Sequence, residues 1–311
     1  MHDVIILGGG PAGCSAAGFL ARCGRSTLVI DKGTAEGFTG GSARVQTFPG
    51  FPDGISGAKL IERLQQQVTS VGGEVQETSV ESVNFSGSPL TVTAQSGASF
   101  TARAIVLATG AAFRPHPVPG EREFRGAGVF YDALLDGWAV RGGGAVVIGK
   151  TQEACKEALA LTRFAEKIHL IVPSSKLDVP EALLKHLQDK HIELHFSSSL
   201  KQINGTDRIA SVTILSAGTE KEIQTQGVFP LTADWQTTSG YLKGAVEMSD
   251  KGVVMIDEDM MTSVKGVFAC GDIICGKPQL PTVASAQGLI AGLSVEKFLV
   301  DLGDVPPSES H

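Results

Sequence analysis

The segment Val4-Ile5-Ile6-Leu7-Gly8-Gly9-Gly10-Pro11-Ala12-Gly13 decides the fold of this chain. Four consecutive apolar residues read as a strand buried on both faces, the habit of a parallel sheet. Gly8-x-Gly10-x-x-Gly13 follows at once, then a predicted helix of small residues over Ser15 to Arg22. A second apolar run, Thr27 to Ile30, ends in Asp31 and Lys32. The sum is a βαβ unit of the dinucleotide-binding kind. Gly8 makes the tight turn, Gly10 lets backbone approach a pyrophosphate, and Gly13 lets helix and strand pack closely. The helix start, with Pro11 and Ala12 in its first turn, turns the unpaired N–H groups of that turn from Ala12 onward and a positive dipole end to that anion. Asp31, with Lys32 beside it, is placed to hold a ribose. The loop alone does not choose between FAD and NAD.

Working outward, Ala58 to Val71 has helical periodicity, with Leu60, Ile61, Leu64 and Val68 on one face. Glu74 to Phe100 alternates between turn signals and reads as a β-meander, and Ala104 to Leu107 reads as a buried strand. Arg114 to Gly120 holds three prolines, which fit neither a helix nor a central strand, and is expected to link two domains. The pattern then restarts: strand Ala145 to Ile148, Gly149, helix Ala154 to Thr162, strand Ile168 to Val172. Val253 to Ile256 and Gly266 to Ala269 return to strand character, and Ala284 to Val300 is a closing helix. The expected architecture is α/β, with two Rossmann-like domains, the second inserted in the first. Residues 1–114 and 249–311 form one; 115–248 form the other.

The chain has 311 residues, 42% of them apolar and 19% charged, a balance that suits two ordinary domains with sizeable cores. A formal net charge of −7 argues against a general nucleic-acid or anionic-membrane binder. No run approaches the roughly 18 apolar residues that span a bilayer. The N-terminus shows no basic-then-apolar leader, so a cytoplasmic, reducing setting is expected. The five cysteines are Cys14, Cys23, Cys155, Cys270 and Cys275. An odd count of this kind is no structural disulfide framework.

Two further strand ends sharpen the reading: Ala108-Thr109-Gly110 and Gly271-Asp272. With Gly40-Gly41-Ser42 and the run from Phe48 to Gly57, they make the whole chain resemble the low-molecular-weight thioredoxin reductases. The resemblance implies FAD on the first glycine loop and Asp272 on its ribityl chain. It also implies a flavin-side loop at Gly41 and Ser42, and a helix start at Thr282 and Val283 facing the flavin C2 carbonyl. A plain N-cap is the other role open to Thr282. Val80 joins the expected cofactor residues. A homodimer is implied by the resemblance alone.

The chain departs from that family in two places. Aligned on Gly128 to Gly149, the positions of the redox Cys-x-x-Cys hold Asp132 and Leu135, and Asp136 matches the acid that follows. The second glycine loop reads Gly149-Lys150-Thr151-Gln152-Glu153-Ala154, with Thr151 for the middle glycine. The place of the NADPH 2′-phosphate Arg pair reads Val172-Pro173-Ser174-Ser175, which carries no guanidinium. The pattern resembles the atypical branch that works without pyridine nucleotides, linked to ferredoxin or to a second flavin.

The cysteines are the residues that could replace the missing dithiol. Cys14 follows Gly13 at a helix start, where the dipole is expected to lower its pKa. Cys270 and Cys275 flank Gly271-Asp272 on a last strand expected to run beside the first. Cys14, Cys270 and Cys275 are therefore the candidate catalytic residues, with small buried hydrophobes as the alternative; Cys23 and Cys155 are expected to be inert. Phe130, Tyr131, Trp138 and Trp235 offer surface for a planar ligand such as a second FAD, or else pack the core. The seven histidines show no metal-ligand grouping, and no metal is expected. The leading function is FAD redox coupled to a disulfide or to a ferredoxin-like or thioredoxin-like carrier. The alternatives are a flavin oxidase or monooxygenase-like enzyme on a small molecule, and a flavin sensor without turnover.

Overall fold

The computed structural model describes residues 1–33, 37–42, 44–113, 118–231, 235–275 and 279–303. It divides into two compact units, residues 1–113 with 235–311 and residues 114–234 between them. Residues 114–117 of the expected linker and the tail from 304 lie outside the described residues.

In the first unit, β1 (His2–Leu7), α1 (Pro11–Arg22) and β2 (Thr27–Asp31) form the leading βαβ, with β1 and β2 parallel. The helix α2 (Gly57–Ser70) is capped by Ser56, whose hydroxyl accepts the Lys59 N–H, and buries Leu60, Ile61 and Val68. Strand β3 (Glu74–Glu77) lies parallel to β2 at one edge. The expected meander is shorter than the alternation suggested. Only β4 (Val80–Asn84), β5 (Leu90–Ala94) and β6 (Ser99–Leu107) pair antiparallel in sequence. Edge strands and meander strands alternate alike, so the pattern does not tell them apart.

The nine residues of β6 organise this sheet. One edge pairs parallel with β1; the other pairs first with β5 and then, parallel, with β16 (Val267–Ala269), the last strand of the chain. The last strand is therefore separated from the first by β6, contrary to expectation. Strict alternation along β1 sends Val4 and Ile6 into one core with α1, and Ile5 and Leu7 into a second on the far face.

Short β7 (Ala111–Phe113) pairs antiparallel with β15 (Trp235–Thr237). Residues 235–248 thus belong with the first unit, not the second as their position suggested. Tyr241, Leu242 and Val246 pack into its core, and the Thr238 N–H donates to the Gly110 carbonyl. Val253 to Ile256 forms no regular strand; Val254 makes an isolated bridge to Met248.

The closing helix α6 (Pro281–Asp301) is long and apolar enough to cross a membrane by length and composition, which the sequence reading missed. It lies on α1 through Gly288 and Gly292, where added Cβ atoms would reach 2.0 Å from Ala12 O and 3.1 Å from Phe19. Arg25, buried, forms a bidentate pair with Glu296 at 2.8 Å, tying the helix to the turn between α1 and β2.

The second unit holds α3 (Ala133–Asp136), β8 (Gly144–Ile148), α4 (Gln152–Leu161), β9 (Lys167–Ile171), α5 (Glu181–Asp189) and β10 (Glu193–His195). Next come β11 (Ser198–Gly205), β12 (Ile209–Ser216), β13 (Thr219–Gln224) and β14 (Gly227–Pro230). A parallel sheet runs β10-β9-β8-β14, and β11-β12-β13 is a separate antiparallel sheet. The β8-α4-β9 segment repeats the geometry of β1-α1-β2.

Candidate functional site

The turn after β1 is built from contacts that only glycine allows. Gly8 has φ +109°, and a Cβ there would lie 2.3 Å from the Ala108 carbonyl oxygen. At Gly13 a Cβ would lie 1.8 Å from Gly8 O, so this glycine sits beneath the turn and not on its open side. Gly10 is different. It has φ −77°, and a Cβ there would meet nothing within 4 Å. The chain leaves open space over the start of α1, where no side chain caps the helix. The Asp31 carboxylate is held by two N–H groups, Gly9 at 2.6 Å and Gly33 at 2.8 Å. It keeps lone pairs facing the same space.

A cavity of about 290 Å³ opens there. Gly8, Gly10, Pro11, Ala12, Asp31, Lys32 and Val80 line it, as expected. So do Ala108, Thr109, Gly110, Gly271 and Asp272. Gly13, Gly41, Ser42, Thr282 and Val283 do not. Gly41 and Ser42 stand behind the wall, the Gly41 N–H on Gly37 O and the Ser42 hydroxyl on Phe38 O; Gly37 to Gly40 form the wall itself. Thr282 is not an N-cap. Leu280 occupies that position, Pro281 is the first helical residue, and the Thr282 hydroxyl donates to Thr47 O at 2.9 Å.

Sequence reading missed Gly9, Gly33, Thr78, Ser79, Gln95, Thr238 and Tyr241 in the lining. Gly9 and Gly33 were legible in principle, as the donors nearest Asp31. Tyr241 was not, because it reaches the cavity from far along the chain. Its hydroxyl stands 3.3 Å from Thr109 Oγ1, which donates to Thr238 O at 2.7 Å. Asp272 has no hydrogen-bond partner among the described residues, and burial pushes its carboxyl up to about 6. Gly271, with φ +77°, lets this turn approach Ala12, and its N–H donates to Gln287 Oε1.

These features have known relatives. The family described as pyridine nucleotide-disulphide oxidoreductase matches residues 2–288. The chain belongs to this family. It is 34% identical to a thioredoxin reductase of Aquifex aeolicus, across 96% of this chain and 94% of that protein. A solved thioredoxin reductase from Streptococcus pyogenes superposes with a TM-score of 0.90 at 30% identity, over 97% of this chain and 99% of that one. Another, from Gloeobacter violaceus, is 33% identical over 100% of this chain and 98% of that one, with a TM-score of 0.56. The fold of this oxidoreductase is therefore thioredoxin-reductase-like, with Rossmann-type sheets.

In this family member all five cysteines are free thiols. The Cys14 thiol does not have the lowered pKa expected of a helix start. Burial, with the Asp31 charge added, pushes it up to about 12, and its Sγ donates to Gly9 O at 3.2 Å. The dipole of one helix end does not offset loss of solvent around a thiolate. Cys270 is fully buried and likewise pushed up to about 12. Cys275 is half-buried, within 3.9 Å of Gln287 Nε2.

In the second unit, Asp132 caps α3: one carboxylate oxygen accepts the N–H groups of Leu134 and Leu135 at 2.9 and 3.0 Å. Asp136 is pushed up to about 7 by burial, with the Asp132 and Glu157 charges adding to it. Thr151 caps α4 through the Ala154 N–H at 3.2 Å, and Gly149 keeps its close packing on Ala154. The Ser174 hydroxyl donates to Lys176 O. The aromatics are mostly engaged. Phe130 is buried against Phe229 with ring centres 5.6 Å apart, and Arg125 covers the Tyr131 ring. Trp138 is partly exposed, and the Trp235 side chain lies outside what is described.

Proposed function

We propose that this chain binds FAD in the cavity of the first unit and works as a redox protein without an internal Cys-x-x-Cys or NADPH as hydride donor. Three features support the cofactor. The space over Gly10 suits a pyrophosphate on the α1 N-terminus, and Asp31 suits the adenosine ribose. Asp272, partly buried and without a hydrogen-bond partner among the described residues, suits a ribityl hydroxyl. Thioredoxin reductases use FAD, which when bound supplies reversible one- or two-electron transfer. The start of α6 at Leu280 and Pro281 lines the cavity, and its dipole favours negative charge there.

One observation carries the departure from the relatives. The two helix starts that would serve dithiol and nucleotide are closed by the chain's own side chains, Asp132 on α3 and Thr151 on α4. The partner for the electrons is then external, a ferredoxin-like or thioredoxin-like carrier. The exposed apolar residues Leu289, Ile290 and Leu293 on α6 support a homodimer. A flavin oxidase acting on a small molecule is the second reading. It is favoured by the burial of Cys14 and Cys270, which disfavours a replacement dithiol. Anaerobic mixing with excess NADPH should leave the flavin oxidised for minutes, whereas a reduced carrier protein should bleach it. Bleaching by NADPH within seconds would overturn the proposal. Bound flavin counted per chain should be near one; a ratio near two would place a second flavin in the molecule.

A further inference from the structure

The expectation that the histidines show no metal-ligand grouping does not hold. Strand periodicity puts Glu193 and His195 on the same face of β10, and the β9–β10 register sets His169 opposite Glu193. His169 Nδ1 lies 3.0 Å from His195 Nε2 and 3.2 Å from Glu193 Oε2, and His195 Nε2 is 3.9 Å from the same oxygen. Three donors on a tetrahedron around zinc lie about 3.3 Å apart, given bonds of about 2.0–2.1 Å. The three atoms thus already stand near the corners of one coordination face. We propose that His169, Glu193 and His195 form a binding site for a zinc-class divalent cation on the edge of the second unit's parallel sheet.

The chemistry of the surroundings fits. Burial holds both imidazoles toward the neutral form that ligates metal. Without a metal, a proton on one facing ring nitrogen must separate two lone-pair atoms and an acceptor-only carboxylate oxygen. On metal binding, that proton moves to the far nitrogen of the same ring, so the ligands stay neutral imidazole and carboxylate. Lys167 Nζ holds the other Glu193 oxygen at 3.0 Å and so aims Oε2 inward. Lys167 and Lys221 are the positive charges facing the group. They weaken affinity without blocking the three donors. Glu193 is half exposed, which leaves an entry path and a fourth position for water. Two nitrogens and one oxygen suit zinc over magnesium or calcium. The metal would pin the three-residue edge strand β10 onto β9.

Chelator-stripped full-length protein would be titrated with Co²⁺ and then Zn²⁺. One equivalent of Co²⁺ should bind at micromolar concentration, with visible bands of a four-coordinate nitrogen and oxygen site and no thiolate charge-transfer band. Zn²⁺ should displace it. Both His195→Ala and Glu193→Gln should weaken binding at least about tenfold with circular dichroism unchanged. Glu193→Gln keeps the shape of an exposed residue, so this arm does not hinge on refolding. Absence of saturable binding, a thiolate band, or binding unchanged in both variants would overturn the site and leave a hydrogen-bonded histidine pair.

Discussion

The Thr151 hydroxyl accepts the Ala154 N–H at 3.2 Å, so the second glycine loop fills its own helix start. A phosphate bound there would compete with that cap for the first-turn donors. Replacing the residue tests what it contributes. Thr151→Ala should lower stability by about 1 kcal/mol, the usual worth of a cap. Urea unfolding followed by circular dichroism checks this, and an unchanged midpoint would show that the cap is idle.

The first glycine loop should separate binding from folding. Gly10→Leu places its side chain in open space at a permitted φ, so the protein should fold, purify in normal yield and lack flavin. Gly13→Ala drives a Cβ to 1.8 Å from Gly8 O and should prevent folding. A stable, fully yellow Gly10→Leu protein would move the cofactor elsewhere.

Thiol reactivity should follow burial and not helix position. With alkylating reagent at neutral pH, Cys275 and Cys23 should label within minutes in the folded protein. Cys14 and Cys270, both pushed up to about 12, should label only after unfolding. Peptide mass mapping reads the order. Fast labelling of Cys14 would restore it as a redox thiol.

Asp136 should make stability depend on pH. Folded, its carboxyl keeps a proton up to about 7; unfolded, it loses it near 4. The folded state therefore binds more protons over that window, and its stability falls as pH rises from about 4 to about 7. Asp136→Asn removes the effect. It should be more stable than the parent by about 2 kcal/mol above pH 7, after allowance for solvent screening, and equal to it near pH 4. Thermal unfolding at both pH values measures the difference.

Much of the site was legible before the fold was known, because backbone contacts carry it. Gly8, Gly13 and Asp31 have roles tied to positions within one βαβ unit, where local order sets the geometry. Resemblance alone implies Gly41, Ser42 and Thr282 in the lining. They stand just behind it, since a loop can keep its path while a neighbouring residue supplies the wall. The raised pKa of Cys14 departs from expectation because a helix start is visible in sequence and the depth of its burial is not.

By itself the sequence determined the two glycine turns, the parallel strands they join, and that residues 132 and 135 are Asp and Leu. Each follows from residue type and near-neighbour spacing. Only the tertiary structure decided that β6 stands between first and last strands, that Tyr241 reaches Thr109, and that His169 meets Glu193 and His195. Those pairings join residues far apart in the chain. The register that selects them comes from burying whole sheet faces at once, which no short stretch of sequence encodes.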